Sequence, residues 1–211
     1  MIVTITVGGG ALRWSPSGEQ LAFVSNRGTH SFVGVYAMAS KTLRWMAPST
    51  DTDNAPAWSR DGSRIAFLRM PYAGRQLGFR ATRSAQPWGI MVADVASGQA
   101  REIFRATEGR GSAYWAIVAD NQLFWMAGDR IVFPWERTGW AHLYSVAASG
   151  GTPSELTPGK GEVEFVAASA DGTATDAATE APSRFRKRRR VLPPRAPPLG
   201  AACEGGAFPV P

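Results

Sequence analysis

Apolar and polar residues alternate along this chain in short runs, and one arrangement of them recurs. Leu12-Arg13-Trp14-Ser15-Pro16-Ser17-Gly18-Glu19-Gln20-Leu21-Ala22-Phe23 is matched by Ala57-Trp58-Ser59-Arg60-Asp61-Gly62-Ser63-Arg64-Ile65-Ala66-Phe67, with Trp14 to Trp58, Gly18 to Gly62 and Phe23 to Phe67 each 44 positions apart. One fixed period implies one structural unit, repeated. A period in the low forties, with a tight turn between two apolar runs, is that of a four-stranded propeller blade. Each copy predicts a strand ending at Trp-Ser, a turn closed by Gly, and a second strand of alternating apolar residues. Ser15 and Ser59 can bond backbone within the turn, Asp61 has a turn role, and Gly18 and Gly62 can take positive φ without a Cβ clash. Trp14 and Trp58 suit the space between adjacent blades.

In chain order, Ile2–Val7 alternates like a strand that Gly8-Gly9-Gly10 breaks. Later strands of the first blade are predicted at 33–38 and 41–46, and Asp51-Thr52-Asp53-Asn54 is read as the turn into the second copy. The second blade carries an insertion rich in Arg, Gly and Pro between Arg69 and Pro87, then strands at 90–95 and 101–104 with a turn at Ser97-Gly98. The third copy aligns Phe124 and Gly128 with Trp58 and Gly62, and Ile131 and Phe133 with Ile65 and Phe67. A hairpin turning at Thr138-Gly139 follows, and Glu155-Leu156-Thr157 is its outer strand. A fourth copy begins at Ser169-Ala170-Asp171-Gly172, but the expected apolar alternation is replaced by Thr173-Ala174-Thr175-Asp176-Ala177-Ala178. The expected architecture is all-β: a partial propeller of about four four-stranded blades over residues 1–172, with a disordered basic tail rich in Pro and Ala over 173–211.

The 211 residues are 44% hydrophobic and include eight Trp and ten Phe, ample for a packed core. The net charge of +6 divides unevenly: residues 1–172 hold 16 Lys+Arg against 14 Asp+Glu, a net +2, and residues 173–211 hold 7 against 3, a net +4. The basic character therefore belongs mostly to the tail, where Arg184–Arg190 lacks the aromatic interleaving of a nucleic-acid surface; no nucleic-acid partner is expected. The composition change at Thr173 points to sequence foreign to the domain, as a reading-frame change in a GC-rich gene would produce. A single cysteine, Cys203, excludes an internal disulfide framework. No apolar run reaches the length of a membrane-spanning helix, and Met1–Val7 lacks the features of a signal peptide, which leaves the compartment open.

Candidate chemistry is sparse. His142 and Glu136 share one hairpin, but no Ser or Cys nucleophile is indicated beside them, and the expected role is structural. Asp51, Asp53 and Asp61 lack the spacing of a calcium loop. Gly109-Arg110-Gly111 is too short for a phosphate loop. Tyr72, Arg75, Phe79, Arg80, Arg83 and Trp88, in or beside the insertion, are the candidate contact residues, read as a solvated loop. No catalytic, cofactor-binding or metal-binding residue is assigned, and no cofactor is expected.

The segment Trp135-Glu136-Arg137-Thr138-Gly139-Trp140-Ala141-His142-Leu143-Tyr144, followed by Glu155-Leu156-Thr157-Pro158-Gly159 and Glu162-Val163-Glu164, resembles the amino-terminal β-propeller of the prolyl oligopeptidase family, in particular the dipeptidyl peptidase IV type. The resemblance spans about Ala11 to Gly172, whereas the Trp-Ser-x-Asp-Gly copies alone also resemble TolB-type repeats. It implies a propeller that precedes an α/β-hydrolase serine peptidase domain and restricts access to short peptides. The implied partners are a peptide substrate and that hydrolase domain. The chain has no Gly-x-Ser-x-Gly nucleophile elbow, its only histidines are His30 and His142, and it has no counterpart of the paired glutamates that hold a substrate amino terminus. The motif residues Trp14, Gly18, Trp58, Asp61, Gly62, Trp135, Glu136, Gly139, Trp140, His142, Leu143 and Tyr144 are accordingly assigned structural roles. The expected function is the non-catalytic propeller of such a peptidase; the alternative is a stand-alone TolB-like interaction propeller.

Overall fold

The two Trp-Ser copies close their hairpins in the same way. In the first, Gly18 N–H donates to the Ser15 carbonyl at 2.9 Å and Ser15 Oγ accepts from Gln20 N–H at 3.1 Å. In the second, Gly62 N–H donates to the Ser59 carbonyl at 3.0 Å and Ser59 Oγ accepts from Arg64 N–H at 2.9 Å. Gly18 and Gly62 take φ of 72° and 71°, a conformation in which a Cβ is strained. The Asp61 carboxylate accepts from the Ser59 hydroxyl and the Ser63 N–H, which lowers its pKa to about 2.

In this computed structural model the described residues are 9–72, 86–109, 111–169, 172–173 and 175–180. They form fifteen strands and no helix. Strands β1 (Gly9–Trp14), β2 (Gln20–Asn26), β3 (Ser31–Ala37) and β4 (Thr42–Trp45) make the first antiparallel blade. Strands β5 (Thr52–Trp58), β6 (Arg64–Met70), β7 (Gly89–Asp94) and β8 (Ala100–Arg105) make the second. After β9 (Val118–Ala119), the third consists of β10 (Phe124–Met126), β11 (Arg130–Trp135), β12 (His142–Ala147) and β13 (Ser154–Glu155). In the fourth, β14 (Glu162–Ala168) pairs antiparallel with β15 (Thr175–Glu180) and parallel with β9. The innermost strands β1 and β5 share a bulge, with Ala11 and Ala55 at φ of 51° and 53°, so the repeat extends to backbone irregularities.

Three apolar clusters lie between successive blades. Ala22, Val24, Val33, Val35 and Met46 of the first blade meet Ile65, Phe67, Met91, Ala93 and Val95 of the second. The second blade's opposite face, with Leu68, Ile90, Val92 and Phe104, meets Trp125, Ile131, Phe133 and Tyr144 of the third. Phe124, Met126, Val132 and Leu143 then meet Val163 and Val166 of the fourth. Period-2 alternation thus supplies each blade with two apolar faces, one per neighbour.

Several expectations from the sequence are corrected. Trp125, not Phe124, occupies the third blade's Trp58 position: Trp125 pairs with Ile131 as Trp58 pairs with Ile65, because the third turn is one residue shorter. Trp14 does not fill an inter-blade space; it is 55% exposed. Gly9 and Gly10 are strand residues, the first of β1, paired with Ser25 and Val24. Trp88 is no insertion residue but a core side chain, 1% exposed. Strand β15 lies beyond Gly172, so the boundary expected there falls in the turn of a hairpin. The expected strand at 2–7, insertion residues Arg75, Phe79, Arg80 and Arg83, and the Arg184–Arg190 run lie outside the described residues.

Asp53 is the least expected element. Instead of a turn residue it is a strand residue with a fully buried side chain, ion-paired to Arg69 through Nε–Oδ1 and Nη2–Oδ2 contacts of 2.7 and 2.9 Å. Arg69 Nη2 also donates to the Ala47 carbonyl of the first blade at 2.7 Å, and Ser31 Oγ donates to the Asp53 carbonyl at 2.6 Å. Both blades are therefore tied to one buried charge pair. Burial pushes the Asp53 carboxyl up, against the pull of the Arg69 guanidinium. A carboxyl raised in this way binds its proton more tightly folded than unfolded, so its contribution falls as pH rises through that window. Arg69→Met should cost about 3–5 kcal/mol near neutral pH by leaving a buried carboxylate unpaired. Part of that loss should be recovered at a mildly acidic pH, as Asp53 takes up a proton. Urea midpoints at the two pH values check this, and a pH-independent loss contradicts it. Phe133→Ala, which empties the largest inter-blade cluster, should cost about 3–5 kcal/mol in the same assay.

Candidate functional site

The Trp135–Tyr144 hairpin packs its motif residues inward. Trp135, His142, Leu143 and Tyr144 are buried, whereas Trp140 at the turn is partly exposed and Gly139 takes φ of 94° to close that turn. Alternation on β12 sends Leu143 toward the fourth blade and Tyr144 toward the second. Tyr144 joins a ring cluster with Trp135 and Phe133, which continues to Phe104, Trp88 and Tyr114 through centroid separations of 4.9 to 6.3 Å.

That cluster organises the 109–112 loop. The indole N–H groups of Trp88 and Trp135 both donate to the Gly111 carbonyl, at 3.2 and 3.0 Å, so one backbone oxygen receives a donor from each of two blades. Gly111 has φ of 77°, and a Cβ there would stand 2.8 Å from Trp135 Nε1 and 3.0 Å from the Arg137 backbone. Burial pushes the Tyr114 hydroxyl far up. The Tyr144 hydroxyl is pushed up by burial and by the adjacent Glu155 carboxylate.

His142 is 2% exposed and fully engaged. Its Nε2 donates to the Gly161 carbonyl at 2.9 Å, and its Nδ1 contacts the Glu155 carboxylate. The partner is thus Glu155 on the adjacent strand β13, and not Glu136 on the same hairpin. Glu162 accepts weakly from Ala141 N–H at 3.4 Å, and Leu143 N–H donates to Thr157 Oγ1 at 3.0 Å. With both ring nitrogens taken, His142 has none free to act as a base. Its geometry instead fastens β12 to β13 and to the approach of β14.

The other motif residues divide between turn and interface. Trp58 Nε1 donates to the Arg13 carbonyl of the first blade at 3.0 Å. Arg64 makes a bidentate pair with Asp129 of the third blade at 2.8 and 3.0 Å and stands 5.0 Å over the Trp125 ring. A cleft of about 330 Å³ opens where the second, third and fourth blades meet; Trp58, Arg60, Asp120, Trp125, Ala167 and Gly172 contribute to its lining. Among the described residues its lining mixes aromatic and aliphatic side chains with one guanidinium, Arg60, and one carboxylate, Asp120. Among the described residues no group of three His, Cys, Asp or Glu side chains is placed to hold a metal. Arg64 and the Gly111 carbonyl are not legible in the sequence because each acts across a blade boundary, and Glu155 because its strand returns from thirteen residues away to lie beside β12.

Gly111→Ala should destabilise the fold more than Gly109→Ala. Both positions have positive φ, 77° and 95°, but only Gly111 is crowded. The difference in urea midpoints isolates the steric component; equal effects would contradict the anchoring role.

Residues 78–178 match the family described as the dipeptidyl peptidase IV (DPP IV) N-terminal region, a match that contains the whole Trp135–Tyr144 hairpin and runs past Gly172. No curated protein matches the sequence. Among solved structures, TolB from Acinetobacter baumannii is similar with a TM-score of 0.55 and 17% identity, covering 81% of this chain and 37% of that one. An oligogalacturonate lyase from Vibrio parahaemolyticus is similar with a TM-score of 0.62 and 10% identity, covering 84% of this chain and 47% of that one. The chain therefore spans less than half the length of either structure, and at such identities the likeness is one of fold. Over residues 78–178 the chain is similar to the dipeptidyl peptidase IV N-terminal region, and its fold is that of a propeller.

Proposed function

We propose that this chain serves as the non-catalytic propeller portion of a prolyl-oligopeptidase-family serine peptidase, admitting and positioning peptide substrates for a hydrolase domain encoded outside these 211 residues. The observation that carries the reading is the family match over 78–178, whose Trp135–Tyr144 hairpin is held by the His142–Glu155 and Gly111 contacts. The propeller that goes with it takes in β15 (Thr175–Glu180) and so extends past Gly172. Acyl transfer needs a nucleophile, a base and oxyanion donors in mutual reach, and the sequence contains no nucleophile elbow to supply them. The chain's part would be access and orientation, with the cleft at Trp58, Arg60 and Asp120 facing the substrate path. A second reading, a stand-alone TolB-like interaction propeller, draws support from the fold likeness to TolB.

The full chain, treated with a fluorophosphonate probe and with chromogenic dipeptidyl and acylaminoacyl substrates, should show neither labelling nor turnover. Labelling of a serine would overturn the reading. Added to its cognate hydrolase domain, the chain should raise the preference for short over long peptides, and an unchanged length preference would favour the interaction reading.

A further inference from the structure

The repeat that aligns the blades also aligns the polar residues at the edge of each inter-blade contact. Gln20 stands 44 residues before Arg64. Leu21 pairs with Tyr36 as Ile65 pairs with Ala93, and Val35 with Arg44 as Val92 with Arg101, so Arg44 on β4 corresponds to Arg101 on β8. On the blade that follows, Ser63 corresponds to Asp129, and Val95 and Ala96 to Ala148 and Ser149; Val95 N–H donates to the Ser63 carbonyl as Ala148 N–H donates to that of Asp129. Between the second and third blades this edge is filled. Arg64 pairs bidentately with Asp129, and Arg101 donates to the carbonyls of Ala148 and Ser149, both at 2.8 Å.

Between the first and second blades the same edge is not filled. Gln20 and Ser63 stand in place of the Arg64–Asp129 pair, and Gln20 Oε1 is buried without a hydrogen-bond partner among the described residues. Arg44 lies along Gly98, where a Cβ would stand 3.3 Å from its Cγ and Cδ, and no hydrogen bond joins it to the Val95 or Ala96 carbonyl. What remains is a notch of about 340 Å³ to which Gln20, Thr42, Arg44, Ser63, Asp94 and Ala96 contribute. One water takes up roughly 30 Å³ in the liquid, so the notch has room for a side-chain-sized group. Compared with the second edge it lacks one guanidinium and keeps the acceptors that two guanidinium groups satisfy there.

We propose that this notch binds a guanidinium group, that of an arginine side chain or of a free small molecule, in the place that Arg64 fills at the second edge. A guanidinium carries five N–H donors in a planar fork and no acceptor. That is the complement of a site whose unused groups are two backbone carbonyls, an amide oxygen and a hydroxyl lone pair. Ser63 Oγ donates its own proton to Asp61 at 2.8 Å, so what it can offer a ligand is an acceptor. The terminal torsion of Gln20 has a broad well, and a turn of the amide presents Oε1 to the notch at small cost. Asp94 is the one carboxylate among the lining residues and offsets Arg44, the one cation. The second edge shows that such a place accommodates two guanidinium groups at once.

Saturation-transfer NMR and calorimetry on the full chain with L-arginine, against L-citrulline and L-lysine at equal concentration, test this. L-Arginine should bind and the other two should not, because citrulline has the shape without the charge and lysine the charge without the planar fork. Ser63→Asp, which copies Asp129, should tighten arginine binding about tenfold. Gln20→Arg combined with Ser63→Asp installs the second edge's pair in the first. It should abolish binding while the urea midpoint holds or rises, so that the loss is not one of folding. A blocked peptide, acetyl-Ala-Arg-Ala-amide, that binds as tightly as L-arginine assigns the notch to an arginine side chain; binding of free arginine alone assigns it to a small molecule. Absence of arginine binding to the native chain overturns the proposal. So do an equal response to citrulline or lysine, and arginine binding that survives in the double variant.

Discussion

The packing of one blade's sheet face against the next is the interaction on which the rest of this molecule depends. No blade here encloses a core of its own: a four-stranded sheet has two faces, and each is apolar only because a neighbour covers it. Ile65 and Phe67 are fully buried because the first blade supplies Val33, Val35 and Met46, and Ile131 and Phe133 are fully buried because the second supplies Leu68 and Ile90. Stability of such an array is close to a sum over nearest-neighbour interfaces.

Polar contacts are placed where they fix the relative position of blades. The Asp53–Arg69 pair with Ala47, the Arg64–Asp129 pair, the Arg101 guanidinium on the carbonyls of Ala148 and Ser149, and the Gly172 carbonyl accepting from Ala127 N–H each join consecutive blades. Apolar faces supply most of the free energy but little register, since they can slide. Directional bonds to backbone carbonyls define the register. The Gly111 carbonyl, held by indoles from two blades, adds the same kind of constraint to a loop.

Features that repeat along the chain were legible in the sequence, and features that span blades were not. The 44-residue period identifies the blades, the Gly18 and Gly62 turns and the alternation that puts Leu21 with Phe23 and Ile65 with Phe67 on one side of their strands, because all follow from local geometry. The Trp135–Tyr144 motif pointed to the family later matched over 78–178. The third copy is offset by one residue at Phe124 and Trp125, since alignment on Gly128 hides a shortened turn. Asp53 resembled a turn residue among its neighbours Asp51 and Asn54, and only the approach of Arg69 from the adjacent strand makes its burial tolerable. Glu155 was missed as the His142 partner because β13 returns from thirteen residues away to lie beside β12. Strand β15, rich in Ala and Thr, has too little apolar contrast to announce itself; its pairing with β14 is what makes it a strand.

The proposal that these blades belong to a serine peptidase propeller is tested most directly by the genomic sequence downstream. Translating about two kilobases past the Gly172 codon in all three frames should reveal a frame that resumes Ile/Val-x-Phe/Tyr alternation and later encodes a Gly-x-Ser-x-Gly elbow at the end of a strand. The absence of any such frame would contradict the claim and leave an interaction propeller in its place.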